Sequence, residues 1–263
     1  MYFKTSLSLI IAFILCAGIS TGNINAEEYS QDELKNISFN VTALFRAYRK
    51  TISSNKEAIH KPKKYFENVE GRLGIMHKNA KQHYRVMTKK SLKEDGIEGK
   101  IVKDLQKAVD KIIRLAASGK LGLAWKGKND YVKKWDGKLL PARFAAYVAE
   151  EFNKKSKEGV KIKLTTSKQL LVNENNAPDE WESKIIEDKL ISSKSYTGKP
   201  IGEDQGKSYR YILPEFYAPS CIKCHGTNEG QDGLKIHPSK LKRKIGDFAG
   251  AITIFLDKTK LKK

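Results

Sequence analysis

Val160-Lys161-Ile162-Lys163-Leu164 alternates apolar side chains with lysines. A period of two puts Val160, Ile162 and Leu164 on one face of a strand and the lysines on the other, the pattern of a half-buried strand. It follows a series of segments that read with helical periodicity. Helices first, then a mixed region with at least three strands, is an α+β order.

Upstream, Ser30 to roughly Ile59 reads as one long amphipathic helix, opened by a Ser30/Glu33 capping box. Leu34, Ile37, Val41, Leu44, Phe45, Tyr48 and Ile52 supply its apolar stripe, and Pro62 ends it. A second helix is expected from about Tyr65 to Leu92, with Phe66, Val69, Leu73, Met76, Ala80, His83 and Met87 on one face. The two form a helical hairpin. A third runs from about Gly99 to Ala117. Residues 118–140 read as a connector in which Trp125, Tyr131 and Trp135 pack on something, and Pro141 starts a fourth helix with Phe144, Val148 and Phe152 inward.

Downstream, Asn176, Pro178 and Asp179 open a short helix carrying Trp181, Ile185 and Leu190. Tyr209 to Leu213 and Ala249 to Leu256 are short apolar β-type runs. No internal repeat is present.

The 263 residues carry 50 Lys+Arg against 30 Asp+Glu, a formal charge of +20, with 40% hydrophobic and 30% charged residues. That excludes a disordered tail, a collagen-like repeat and a polytopic membrane protein. The charge raises the question of nucleic acid. However, 42 of the basic residues are lysine and only 8 arginine, and they are spread along the chain. Specific phosphate and base readout favours the guanidinium fork. The charge therefore reads as a solvated lysine surface, with an acidic protein partner or an anionic membrane surface as its functional form and no nucleic acid.

Residues 1–26 read as a signal peptide: Lys4 is the basic n-region, Leu7 to Ala17 the apolar core, and cleavage after Ala26 is expected. The apolar tract is short for a membrane span, which weakens a retained anchor. Bulky Leu15 weakens a lipoprotein site at Cys16. Cleavage leaves 237 residues, a charge of +19, no membrane span and two cysteines, Cys221 and Cys224. The expected organisation is a signal at 1–26, a helical region at 27–117 and a second domain at 118–263, in a periplasmic or otherwise exported protein.

The two cysteines stand in Cys221-Ile222-Lys223-Cys224-His225. A C-x-x-C-H run is the attachment pattern of c-type haem. Two thiols two residues apart reach the two vinyl groups of one porphyrin and form thioethers, and the following His gives the iron an imidazole nitrogen. Attachment takes place outside the cytoplasm, in keeping with the export signal. A zinc site would need four ligands, and no second His follows His237 at finger-like spacing. A thioredoxin-like pair should open a helix after a strand, whereas Pro219 and the glycines after His225 suggest a loop. A plain disulfide remains if haem is never loaded.

Beyond this motif the sequence resembles the Tll0287-like (DUF3365) c-type haem domain family. Asn175-Asn176-Ala177-Pro178-Asp179-Glu180-Trp181-Glu182 is similar to its Asn-Ala-Pro…Trp-Glu block. Arg210-Tyr211-Ile212-Leu213-Pro214, then Cys221 to Gly226, then Gly246-Asp247-Phe248-Ala249-Gly250-Ala251 follow in the family's order, and Pro141 to Asn153 is similar to its upstream helix. These motifs cover residues 137–257. The resemblance implies a PAS-like α+β fold with a small antiparallel sheet, holding one covalent haem and acting as a sensor of redox state or small ligands. Two positions depart from the pattern. Val172-Asn173-Glu174 stands where members carry Arg-Asn-Pro, and no spare Cys remains for the distal thiolate that some members use.

The distal ligand is therefore open. His83, on the apolar face with Met76, Ala80 and Met87, is the first candidate, against the reading of an ordinary core histidine. His237 could fold back over the haem, while His60 and His77 look solvent-facing. An apolar distal pocket lined by Phe144, Tyr147 and Val148 is the alternative. Arg210 is a candidate propionate partner; Trp181 and Tyr211 read as core, and Asn176 and Asp179 as capping residues.

A haem-based redox or small-ligand sensor is the first functional expectation. The chain ends at Lys263, so its signal would pass to a partner. An electron-transfer cytochrome docking acidic redox proteins is the second. No polar distal acid–base pair is legible, so no enzyme is expected. A homodimer through the long N-terminal helices is a further expectation, weakened by Gly71 and Gly74 interrupting the second helix.

Overall fold

The structure is a computed structural model. It describes residues 28–121, 137–191, 198–225, 243–261 and 263, with the backbone alone at 220, 223 and 224. The signal segment, the tract with Trp125, Tyr131 and Trp135, and His237 lie outside the described residues.

Helix α1 spans Gln31–Ser53 and opens on the expected capping box: the Ser30 hydroxyl accepts from the Glu33 N–H, and the Glu33 carboxylate from the Ser30 N–H. It ends six residues earlier than its periodicity suggests. Asn55 accepts a hydrogen bond from the Ala58 N–H and caps a separate short helix α2, Lys56–His60. A Ser-Ser-Asn run offers the backbone side-chain partners that compete with helix continuation. Pro62 then sits in the first turn of α3, Pro62–Tyr65, where its missing N–H costs nothing.

Helix α4, Val69–Thr88, is capped by Asn68 and stops at Lys89, which takes the left-handed conformation at φ 59°. It runs unbroken through Gly71 and Gly74, contrary to the expected interruption. Gly71 lies in the first turn and Gly74 faces open space, so neither costs a packing contact. Helix α5 spans Gly96–Ala117 and α6 spans Pro141–Lys155.

The second half is an antiparallel sheet in the order β1-β4-β3-β2. Strand β1 is Val160–Thr165, β2 Ile201–Asp204, β3 Ser208–Phe216 and β4 Phe248–Asp257. Helix α7, Glu180–Ile185, precedes β2 and widens into a π-helical turn at Ile186–Ile191; helix α8, Pro219–His225, lies between β3 and β4. The fold is α+β, as expected. Strand β2 was not anticipated, because Ile-Gly-Glu-Asp on an exposed edge carries no apolar alternation.

The register fixes both faces. Val160, Ile162 and Leu164 stand across from Leu256, Ile254 and Ile252, which stand across from Tyr209, Tyr211 and Leu213. This face packs under α1 and α6, and one continuous buried core runs from it through α1, α4, α5 and α6. On the other face Ile212 and Ala251 pack against Ile185, Ile186 and Leu190 of α7 and its turn. The sheet is thus covered on both sides. Helix α1, touching α4, α5, α6, β3 and β4, buries its apolar stripe within the chain.

His77 is not solvent-facing. Its Nδ1 is 2.7 Å from the Tyr48 hydroxyl and its Nε2 2.8 Å from Asp110 Oδ1, so it ties α1, α4 and α5 together. Helix α4 packs on two neighbours, and His77 lies between them. Burial pushes the Tyr48 phenol well above its ordinary pKa, keeping it neutral.

The Gly246–Ala251 stretch has a geometric explanation. Glu215 pairs with Gly250 but Phe216 with Phe248, leaving Ala249 as the extra residue of a bulge. Gly250 sits at φ 144°, and a Cβ there would lie 2.8 Å from the Thr165 carbonyl oxygen. Gly250→Ala is expected to cost about 2 kcal/mol, measurable as a lower urea midpoint with an unchanged slope.

Candidate functional site

The Cys-x-x-Cys-His motif forms helix α8 rather than the expected loop. Pro219 is its first residue, where a fixed φ favours a helix start, and the Ala218 carbonyl accepts from the Cys221 and Ile222 N–H groups. The helix also follows a strand, so the objection to a thioredoxin-like pair drawn from the expected loop does not hold. What separates the readings is His225. Positions 221, 224 and 225 are spaced i, i+3 and i+4, so they share one helix face. Two cysteine positions and a histidine position on one helix face suit a porphyrin and its iron. Cys221 carries a free thiol and is half-buried, as is His225.

The surroundings hold α8 at the end of β3. Tyr217 is clamped by two backbone hydrogen bonds, from its N–H to the Asp247 carbonyl and from the Gly246 N–H to its own carbonyl, both 2.9 Å. Its ring lies 5.3 Å from the His225 ring, tilted by 46°. Burial raises the Tyr217 phenol pKa, an effect that Arg243 partly offsets. Pro214 is tolerated within β3 because β2 pairs only as far as Ile212, leaving that edge of the strand unpaired among the described residues.

Three of the chain's eight arginines gather here, a feature not foreseen from the sequence. Arg46 and Arg49 of α1 both bind Glu215 at the end of β3, Arg46 Nε lying 2.7 Å from Glu215 Oε1 and Arg49 pairing with Oε2. Arg243 hydrogen-bonds the Tyr217 phenol. Burial, and then the neighbouring Arg46, push the Arg49 guanidinium down to about 10, while the Cys221 sulfur opposes the shift. The spacing of Arg46 and Arg49 was legible, but their meeting with Glu215 depends on how β3 docks on α1.

Arg210 lies on the opposite face of the sheet. Its guanidinium is 2.7 Å from Asp179 and 3.6 Å from Glu182, and stacks 4.7 Å from the Trp181 ring centroid. Six residues of strand separate it from Phe216, about 20 Å along the chain. The Asn175–Glu182 block belongs to the same network. Asp179 caps α7, and Glu182, only 1% exposed, accepts from Lys163 Nζ at 2.6 Å, the Asp179 N–H at 3.0 Å and Thr253 Oγ1 at 2.7 Å. The block ties α7 to β1, β3 and β4.

His83 is half-buried at the C-terminal end of α1, where burial and Lys50 hold its imidazole below the usual pKa, in the neutral form a metal ligand requires. Arg49, beside Cys221, is the next residue before Lys50. The buried stripe of α4 continues through Tyr84, with His83 and Met87 at its border. Phe144, Tyr147 and Val148 are packed in the main core. No described helix is long and apolar enough to cross a membrane.

A family model described as Tll0287-like matches residues 23–256, taking in the N-terminal helices as well as the motif-bearing half. Among solved structures, the cyanobacterial heme-protein Tll0287 is similar at 16% identity and a TM-score of 0.39, over 64% of this chain and 99% of that one. No curated protein matches.

Proposed function

Because this chain belongs to the Tll0287-like family, we propose that it is a haem-binding protein with one covalent haem c, attached at Cys221 and Cys224 and ligated on the proximal side by His225. The observation that carries this is the shared face of positions 221, 224 and 225 on α8, held against the sheet by the Tyr217 clamp. The bound haem supplies an iron that changes oxidation state or takes a diatomic ligand. The chain's own residues do the rest. Tyr217 limits the rotation of His225, and His83 is the distal candidate because it is neutral and lies at the same end of α1 as the motif.

The role is that of an exported redox or small-ligand sensor with a PAS-like haem domain, not an enzyme. An antiparallel sheet with helices on both faces, and a long α1 joined through Glu215 to the end of β3 that leads into the motif helix, suits a module that converts a change at iron into a movement of a helix. Electron transfer to an acidic partner is the second reading, favoured by 42 lysines and a charge of +20, and it requires salt-sensitive reduction kinetics.

The test is production with cytochrome c maturation machinery, followed by haem staining on a denaturing gel and ferrous spectra with and without carbon monoxide. Haem that survives denaturation is expected, and its absence overturns the proposal. A carbon monoxide shift supports the ligand sensor; its absence supports a six-coordinate redox centre with His83 as the first ligand to replace.

A further inference from the structure

We infer that Arg46 and Arg49 form the carboxylate-binding edge of the haem site, receiving haem propionate beside Cys221, with Glu215 holding the two guanidinium groups in place. This rests on the haem reading above and assigns the residues that recognise the acidic part of the ligand.

Arginine is scarce in this chain, eight residues against 42 lysines, yet two arginines one helical turn apart converge beside the attachment motif. A guanidinium has five donors in a planar fork that matches a carboxylate. Here two guanidinium groups share the single carboxylate of Glu215, which is 14% exposed, so among the described residues one positive charge is left uncompensated in a partly buried setting. Most of their N–H donors are uncommitted among the described residues.

The charge balance is visible in Arg49. Burial and Arg46 disfavour its cation, and Glu215, shared with Arg46, is its carboxylate partner. A second carboxylate at the pair restores the balance, and a haem attached at Cys221 brings its own carboxylates. Among the described residues, the other charged or titratable groups nearby do not supply it. Tyr211 and Tyr217 are phenols, Arg243 adds a cation, and the Asp247 carboxylate accepts from the Lys244 N–H at 2.8 Å. Arg210 is held by Asp179 on the far face of the sheet.

The experiment compares the haem-loaded wild type with Arg46→Gln, Arg49→Gln, Arg49→Lys, Glu215→Gln and Arg72→Gln, the last an α4 arginine stacked on Tyr65 that serves as control. The readouts are covalent haem content, midpoint potential and the propionate-bending band in resonance Raman. Loss of either site arginine is expected to lower the reduced-to-oxidised ratio at fixed ambient potential about tenfold, which for one electron is about 59 mV, and to move the propionate band down. Arg49→Lys restores the potential but not the band, because an ammonium keeps the charge without the fork. Glu215→Gln moves the potential the other way, so a single variant that does not fold leaves the inference testable. Unchanged potential and band in Arg46→Gln and Arg49→Gln proteins that carry haem overturn it. A wild type with no covalent haem overturns instead the reading on which it rests.

Discussion

Cys221→Ser together with Cys224→Ser is expected to abolish covalent haem, with no haem stain on a denaturing gel and no pyridine haemochrome signal. A thiol adds across a vinyl double bond because its thiolate is a strong nucleophile at modest pH; a serine hydroxyl at the same position is not ionised. The effect is therefore all or none, whereas a single replacement leaves one attachment point. The backbone that forms α8 does not depend on the sulfur: Pro219 and the Ala218 carbonyl set its start. The double variant should keep the helical far-ultraviolet dichroism of the haem-free protein, which separates loss of attachment from loss of fold. His225→Ala should retain some thioether-linked haem but with a spectrum changed from that of the wild type, since it removes an iron ligand and not an attachment site. Full haem retention by the double serine variant would show that these residues are not the attachment point.

Glu182→Ala has the second largest expected effect, about 3–5 kcal/mol of lost stability. The Glu182 carboxylate is 1% exposed and takes hydrogen bonds from Lys163, the Asp179 backbone and Thr253, with Arg210 at 3.6 Å. Its removal leaves Lys163 and Arg210 without their buried counter-charge and Thr253 without its acceptor, and opens space under α7. In a chain of this size such a loss corresponds to a melting temperature lower by roughly 6–20 °C. Glu182→Gln keeps the volume and one acceptor and should fall between the two. A melting temperature within 2 °C of wild type for Glu182→Ala would show that α7 is held by its apolar contacts alone.

These two sites show what a sequence can and cannot make visible. Capping boxes, stripes of period 3.6 and the alternation at Val160–Leu164 are local, and the long helices and three of the four strands are legible from them. Helix ends were less so, because Asn55 and Asn68 restart helices inside apolar patterns that continue across them. Strand β2 has a polar sequence and exists only because β3 offers it an edge. At the candidate site the Cys-His spacing was plain, while the helical state of α8 was masked by the glycines that follow it. Arg46 and Arg49 could not be linked to Glu215 from the sequence, since 166 positions separate Arg49 from its partner. Arg210 is close to the motif in sequence yet belongs to the other face, because a strand carries consecutive side chains to opposite sides.

Strand β4 is the last element of the chain and lies between β1 and β3 in the sheet. Neither inner ladder can form until residues 248–257 are available, and the apolar face that α1 and α6 cover is incomplete before then. Closure of the core is a late, non-local event, of the kind that loop-closure entropy makes slow. The Cys-x-x-Cys-His motif ends only 23 residues before the start of β4 and so precedes that closure along the chain. If haem is attached as proposed, that order of strands would let an attachment enzyme act on an open chain before folding closes the site.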